Sequence, residues 1–224
     1  MKRRPEPELM DTEEQARAYA EADFSESNSL FMRLLARHAS GGLPGTAALD
    51  LGCGPADIVH RLLRTYPRLH CDALDGAMTM LEQARTTLEA GGEPFAGRWQ
   101  LIHDRLPSSR LEGCRYDLIL SNSLLHHLHD PQVLWQTIRT QANPDALVLV
   151  MDLFRPPSAG WAEALVETYV ADEPEVLRSD FRHSLFAAYE PCEVVEQLNT
   201  AGLEGFEVGV VSDRHLAVWG RMPG

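Results

Sequence analysis

The sequence predicts an α/β protein built on a doubly wound, mostly parallel β-sheet. Between residues 46 and 154, short apolar runs alternate with amphipathic segments of helical period, which is the pattern of successive β-α-β units. The run Ala146–Met151 is continuously apolar, as expected of a strand covered on both faces. Residues 206–221 then hold two strand-like runs around Ser212-Asp213, which predict a C-terminal antiparallel hairpin.

The N-terminal region is predicted to be helical. Good helix formers extend over about residues 12–38, with an apolar stripe from Leu30 to Leu35, and the polar stretch 19–29 can divide the region into two helices. The turn-forming run 40–45 follows. We therefore predict an N-terminal helical cap over residues 1–42 and a main domain over residues 43–224.

The main domain is predicted to continue element by element. Asp130-Pro131 supplies an N-cap and a first helical position, Pro191 and Gly202 bound another helix, and residues 158–190 look like a helical insertion over the strand ends. The predicted elements are strand 46–51, helix 56–66, strand 69–74, helix 77–90, strands 98–104 and 116–122, helix 132–141, strand 146–154, the insertion, helix 191–202 and the hairpin.

Charge and composition exclude several classes of partner. The chain has 33 acidic against 20 basic residues and a net charge of −13, which repels phosphate backbones and anionic lipid. We therefore expect no nucleic acid and no membrane partner, and we expect small molecules to be the main partners. The longest apolar run is far below the roughly 20 residues that a bilayer requires, and the N-terminus lacks the apolar stretch of a signal peptide, so a cytoplasmic protein is expected. Four scattered cysteines without a CxxC pair predict neither disulfides nor a zinc knuckle.

The segment Leu49–Asp57, LDLGCGPAD, is typical of a cofactor loop. Gly52 and Gly54 follow a buried strand, where glycine lets the backbone turn sharply and approach a ligand. Asp75 ends the second strand, where an acid can accept hydrogen bonds from ribose hydroxyls. This spacing indicates an adenosine-containing cofactor, with a phosphate-binding or purely structural turn as the alternative.

The neighbouring residues favour one such cofactor. A dinucleotide motif requires a small residue where this chain has Asp57. Asp50, just ahead of the glycines, would oppose a pyrophosphate but suits an ammonium group and a sulfonium. S-adenosyl-L-methionine carries both.

The chain from about Thr46 to Leu153 resembles the class I, seven-stranded, Rossmann-like S-adenosylmethionine-dependent methyltransferases. Four segments carry the resemblance in the family's order: LDLGCGPAD, LDGAMTML, LIHDRLPS and YDLILSNSLLHHLHDP. The resemblance implies seven strands with an antiparallel last strand. One departure is Ala56, where many members have a third glycine.

The resemblance also implies a cofactor-binding set at the strand ends. Its members are Asp50, Gly52, Cys53, Gly54, Asp75, Gly76, Met80, Asp104, Arg105 and Ser121. The glycine loop would line the methionine portion, with Asp50 holding the loop or the amino group. Asp75 would take the ribose hydroxyls, Asp104 and the Arg105 backbone would fix adenine beside Met80, and the carbonyl of Ser121 would contact methionine.

The histidine-rich segment LLHHLHD supplies the candidate catalytic residue. His126, or its neighbour His127, is positioned to face the transferred methyl as a general base or steering residue. A family-typical structural turn is one alternative, and a metal site using three histidines and Asp130 is another. Adjacent histidines on one turn are expected to diverge, so we predict no metal ligands.

Two regions outside the motifs are candidates for acceptor recognition. Tyr19 and Phe24 are predicted to close over the cofactor as a lid, with ordinary packing as the alternative. Aromatic residues of the 158–190 insertion either line a pocket or pack in the core. The sequence therefore predicts a methyltransferase acting on a small-molecule acceptor. The alternatives are a non-catalytic cofactor-binding partner subunit and an enzyme of this fold that modifies S-adenosylmethionine itself.

Overall fold

The computed structural model describes residues 1–6 and 22–224, so Tyr19 lies outside the described residues. It contains a seven-stranded sheet in the order β3-β2-β1-β4-β5-β7-β6. β1 to β5 are parallel neighbours, and β7 runs antiparallel to both β5 and β6. The strands are β1 Ala47–Leu51, β2 His70–Asp75, β3 Trp99–His103, β4 Tyr116–Asn122, β5 Ala142–Leu153, β6 Glu207–Val210 and β7 His215–Arg221. The predicted fold class and the C-terminal hairpin are confirmed.

Helices cover both faces of the sheet. Those within the described residues are α1 Ser25–His38, α2 Asp57–Thr65, α3 Met78–Glu89, α4 Gln132–Gln141, α5 Ala159–Tyr169, α6 Glu175–Ala187 and α7 Pro191–Ala201. Short 3-10 turns lie at Glu93–Phe95, Ser109–Leu111 and Leu125–His127. None of these helices combines the length and apolar character needed to cross a bilayer.

Because side chains alternate between the two faces of the strands, the sheet has a hydrophobic core on each face. Residues such as Ala48 of β1 pack with α1, α2 and α3, whereas Leu49 and Leu51 pack on the other face with α4 and α7. Phe31 and Leu35 of α1 are completely buried in the first core. Burial of each such side chain contributes roughly 1.5–3 kcal/mol, so α1 is fixed against the sheet beside the first strands.

The predicted insertion consists of α5 and α6 beyond the carboxyl end of β5. The two helices have a small core of their own around Leu165 and Leu185. Arg182 on α6 pairs with Glu163 on α5 at 2.9 Å across the exposed side. The division of the chain into cap and main domain stays a prediction.

Most element boundaries lie within one residue of the sequence prediction, but the start of β5 and the cap of α4 differ from it. β5 begins at Ala142 rather than Ala146, because Ala142 pairs with Tyr116 before a register shift; its first four residues are not buried, so hydropathy did not reveal them. Helix α4 begins at Gln132 as predicted, but Pro131 rather than Asp130 is at its N-cap. Asp130 still caps the helix, since its Oδ1 accepts from the backbone N of Gln132 at 2.9 Å.

Candidate active site

A cavity lies beyond the carboxyl ends of β1, β2 and β4 and under the first turn of α1. In a sheet of this order the parallel strand order reverses between β1 and β4, and such a switch point is where open α/β sheets bind ligands. The lining includes Phe24, Asn28, Asp50, Gly52, Cys53, Gly54, Asp57, Asp75, Gly76, Met80, Asp104, Arg105, Asn122, Ser123, Leu124, His127 and Asp130. The structure thus brings together most of the predicted cofactor-binding set.

The glycine loop between β1 and α2 has the geometry that its sequence predicts. Gly52 and Gly54 have φ angles of +73° and +52°, which residues other than glycine rarely adopt. A Cβ on Gly52 would lie 2.9 Å from Leu124. A Cβ on Gly54 would meet no described protein atom within 4 Å and would instead occupy space at the cavity wall.

Asp75 fastens the glycine loop to the end of β2. Its Oδ2 accepts a hydrogen bond from the backbone N of Gly54 at 2.9 Å, and its Oδ1 accepts one from Ala77 at 2.8 Å. Burial raises the pKa of this carboxyl, against the lowering effect of these backbone donors. Each carboxylate oxygen keeps a second lone pair, so Asp75 can still accept hydrogen bonds from a ligand.

Asp50 is the buried acid of the site. Its side chain is 2% exposed, and its Oδ1 has no hydrogen-bond partner among the described residues. Burial, followed by the nearby charge of Asp75, raises the pKa of Asp50 to about 7. A buried carboxyl oxygen without a donor is unfavourable unless a ligand supplies one. This cavity therefore fits a ligand with a cationic or hydrogen-donating group, as the ammonium and sulfonium of S-adenosylmethionine provide.

The opposite rim is formed by the residues after β3. Asp104 Oδ2 accepts a hydrogen bond from Ser108 at 2.7 Å, and Oδ1 accepts one from the backbone N of Arg105 at 2.9 Å. The Ser108 hydrogen bond, followed by that from Arg105, lowers the pKa of Asp104. Met80 is 4% exposed and lines the same part of the cavity.

The side chain of Ser121 lies within the sheet, and the contact expected of its carbonyl with methionine stays a prediction. It is completely buried, its Oγ donates to the carbonyl of Leu51 at 2.9 Å, and it is not among the lining residues. Its hydroxyl links β4 to β1, and Ser121 lies one residue before the end of β4. The chain emerges into the cavity at Asn122, whose Oδ1 is buried without a hydrogen-bond partner among the described residues. The apolar run of β4 ends at Leu120, so it did not distinguish Ser121 from Asn122.

The first turn of α1 contributes to the cavity from the N-terminal side. Phe24 and Asn28 both line it, and Asn28 is 6% exposed. Sequence reasoning named Phe24 but missed Asn28, although a polar residue in register with Phe31 and Leu35 was a usable signal. The lining contains no residue of the predicted 158–190 segment among those described. Tyr169, Phe181 and Phe186 of that segment pack instead against the small core of α5 and α6.

The two central histidines have different surroundings. His127 lines the cavity, whereas His126 is 3% exposed and is not among the lining residues. The Nδ1 of His126 hydrogen-bonds Asp152 at the end of β5, and its Nε2 lies 3.5 Å from Glu6. His126 is therefore held by Asp152 in a buried position and does not line the cavity.

The expectation that the adjacent histidines diverge is wrong. Their ring centroids lie 4.1 Å apart at an angle of 36°. Nδ1 of His127 is 3.2 Å from the same Glu6 oxygen that faces His126. The cluster Glu6–His126–His127 joins residues some 120 positions apart, and no periodic pattern in the sequence indicates it.

Comparison with known proteins finds methyltransferases. Residues 49–148 match a family model described as a methyltransferase domain. A malonyl-[acyl-carrier protein] O-methyltransferase of Legionella pneumophila is 23% identical over 120 residues, covering 52% of this chain and 40% of that protein. An uncharacterised methyltransferase of Mycobacterium tuberculosis is 22% identical over 152 residues, covering 68% of this chain and 73% of that protein.

Solved structures agree on the fold. The plantazolicin methyltransferase BpumL in complex with SAH superposes with a TM-score of 0.75 at 12% identity, covering 94% of this chain and 91% of that chain. A SAM-dependent methyltransferase from Aquifex aeolicus gives a TM-score of 0.67 at 18% identity, covering 94% and 98%. The sheet order and the strand-end cavity define an α/β protein that binds a nucleoside-containing cofactor. Residues 49–148 therefore resemble a methyltransferase domain, and the fold is that of the class I S-adenosylmethionine-dependent methyltransferases.

Proposed function

We propose that this protein transfers the methyl group of S-adenosylmethionine to a small-molecule acceptor. The observation that carries the proposal is the single cavity that joins the glycine loop and Asp75 to a wall formed by Asn28, Asn122 and His127. One part of this space suits the cofactor and the adjoining part is left for an acceptor. A second plantazolicin methyltransferase structure, at a TM-score of 0.74 and 12% identity, is described as holding both SAH and a triazolic desmethylPZN analog.

In this proposal the chain's residues mainly bind and orient. S-adenosylmethionine supplies an already activated methyl group on a sulfonium. Asp75 accepts hydrogen bonds from the ribose hydroxyls while it holds the glycine loop, and Asp104 with the Arg105 backbone binds adenine beside Met80. Asp50 is the anionic partner of the amino acid portion, near Gly52 and Cys53.

The acceptor is aligned by the polar residues at the other end of the cavity. The side chains of Asn28 and Asn122 offer hydrogen bonds to a polar acceptor, and Phe24 covers it. Alignment and exclusion of water can supply much of the rate enhancement of such a transfer. His127, at the wall, is better positioned than His126 to take a proton from an acceptor hydroxyl, thiol or amine.

The proposal is tested with labelled methyl donor. The purified chain is incubated with methyl-labelled S-adenosylmethionine and a metabolite extract, and small and large products are separated by mass. We expect label in a small product together with stoichiometric S-adenosylhomocysteine. Label only in macromolecules would contradict the small-acceptor proposal, cofactor binding without turnover would favour the partner-subunit alternative, and cofactor loss without S-adenosylhomocysteine would favour modification of the cofactor.

The matched variant is Asp75→Ala. Removing this carboxylate takes away the predicted ribose acceptor and releases the Gly54 and Ala77 backbone donors, so we expect S-adenosylhomocysteine affinity to fall at least about 100-fold, which corresponds to roughly 2.7 kcal/mol. Calorimetry with S-adenosylhomocysteine measures it. Asp72→Ala on the same strand is the control, since Asp72 contacts Tyr116 rather than the cavity. Unchanged binding in Asp75→Ala would refute the ribose assignment.

A further inference from the structure

The N-terminal residues are tied across the edge of the cavity. Arg3 donates from Nη2 to the carbonyls of His126 and Leu128 at 3.0 and 3.1 Å. His129 is hydrogen-bonded through Nε2 to the backbone carbonyl of Glu6 at 2.9 Å. These contacts fix the backbone of Glu6 beside the 3-10 turn Leu125–His127, so that its side chain is held against both histidines.

Three metal-ligating atoms converge at this point. Oε1 of Glu6 lies 3.5 Å from Nε2 of His126 and 3.2 Å from Nδ1 of His127. One potential ligand atom from each of the three residues lies within 4.8 Å of the others. In a tetrahedral zinc site with bonds of about 2.0–2.1 Å, neighbouring ligand atoms are about 3.3 Å apart. The two distances to Glu6 therefore have the length of tetrahedral edges.

The surroundings orient these ligands. Asp152 hydrogen-bonds Nδ1 of His126, which fixes the ring and leaves Nε2 as the free nitrogen. A carboxylate behind a histidine in this way is the usual support of a histidine ligand. Ser184 of α6 donates to Glu6 Oε1 at 3.1 Å and holds the carboxylate in place. The side chains of Glu6 and His126 are 10% and 4% exposed.

We propose that Glu6, His126 and His127 bind a divalent transition metal ion of the zinc type. Two imidazoles and one carboxylate suit Zn²⁺ better than Mg²⁺ or Ca²⁺, which prefer all-oxygen sites. Three protein ligands leave a further coordination position, as in zinc sites that bind water or substrate. His127 also lines the cavity, so the proposed site adjoins the cavity. The inference does not depend on the proposed methyl transfer.

The experiment measures metal content and affinity rather than activity. The tag-free full-length chain is stripped with a chelator, titrated with Zn²⁺ alone by calorimetry, and analysed by elemental mass spectrometry after desalting. We expect one Zn²⁺ per chain, and tetrahedral d–d absorption when Co²⁺ replaces it. Glu6→Gln and His127→Gln should each weaken Zn²⁺ binding by more than about tenfold and remove that absorption.

Two control variants test whether a histidine or a thiol outside the cluster binds the Zn²⁺. His183→Gln changes an exposed histidine that affects the pKa of Glu6 but is outside the cluster, and Cys192→Ser removes the exposed thiol. Both should keep one Zn²⁺ per chain. Circular dichroism confirms that each variant is folded. The proposal is overturned if the wild-type chain binds no stoichiometric Zn²⁺, or if binding survives in both folded cluster variants.

Discussion

The carboxyl of Asp50 is buried beside the glycine loop, and burial with the neighbouring charge of Asp75 raises its pKa to about 7. A cationic ligand group favours the ionised form, so binding requires Asp50 to be deprotonated. Below pH 7 a proton must leave before the ligand binds, and above pH 7 it has already left. We therefore expect S-adenosylhomocysteine to bind up to about tenfold more tightly at pH 8 than at pH 6. Calorimetry at both values measures the ratio.

The control for this pH dependence is Asp50→Asn. The amide has nearly the same shape but does not titrate. The ratio of the variant's S-adenosylhomocysteine affinities at the two pH values therefore reflects only the titration of the ligand and of other groups. We expect the wild-type ratio to exceed that of the variant. Equal ratios would show that Asp50 does not exchange a proton on binding.

Ala56 is the residue at which this chain departs from the family's third glycine. It has φ +65° and ψ +27° at the N-cap of α2 and is completely buried. A left-handed conformation costs a non-glycine residue roughly 1–2 kcal/mol, while glycine adds roughly 0.4–1 kcal/mol of unfolded-state entropy. We expect Ala56→Gly to raise the free energy of unfolding by about 0.5 kcal/mol and Tm by about 1–2 °C. A lower Tm in thermal denaturation would mean that packing of the buried methyl outweighs the strain.

At the scale of elements, a substitution in the loop between β1 and α2 allows the effect of backbone strain to be measured separately from the effect of ligand contact. Gly54 has φ +52° and open space where a Cβ would be, so Gly54→Ala should fold with a loss of about 1–2 kcal/mol. The added methyl enters the space of the cofactor, and we expect S-adenosylhomocysteine affinity to fall at least about tenfold in calorimetry.

Gly202 supplies a control with the same backbone strain. It has φ +72° at the C-cap of α7, and a Cβ there would make an ordinary contact of 3.5 Å with Arg139. Gly202→Ala should therefore lose similar stability without losing affinity. If both variants lost affinity equally, strain rather than contact would explain the effect at Gly54.

At the scale of the whole molecule, the sequence predicted what depends on local pattern. The strand count and the antiparallel last strand followed from the resemblance, in agreement with the alternating apolar runs. Asp50 and Asp75 were found because they end buried strands. The pattern did not distinguish Ser121, which is buried, from Asn122, which lines the cavity, because an apolar run does not mark which residue leaves the sheet. The pairing of Glu6 with His126 was missed because it joins distant segments that share no periodicity.

A ligand in the cavity would contact several elements at once, since α1, β1, β2 and β4 all contribute to its wall. A ligand that binds only the folded chain stabilises it by about 2.7 kcal/mol at 100 times its Kd. For a chain of 224 residues we expect S-adenosylhomocysteine at that concentration to raise Tm by about 5–10 °C. Thermal denaturation with and without ligand measures the shift, and Asp75→Ala at the same ligand concentration should show almost none. An equal shift in both chains would mean that the ligand stabilises the protein from another site.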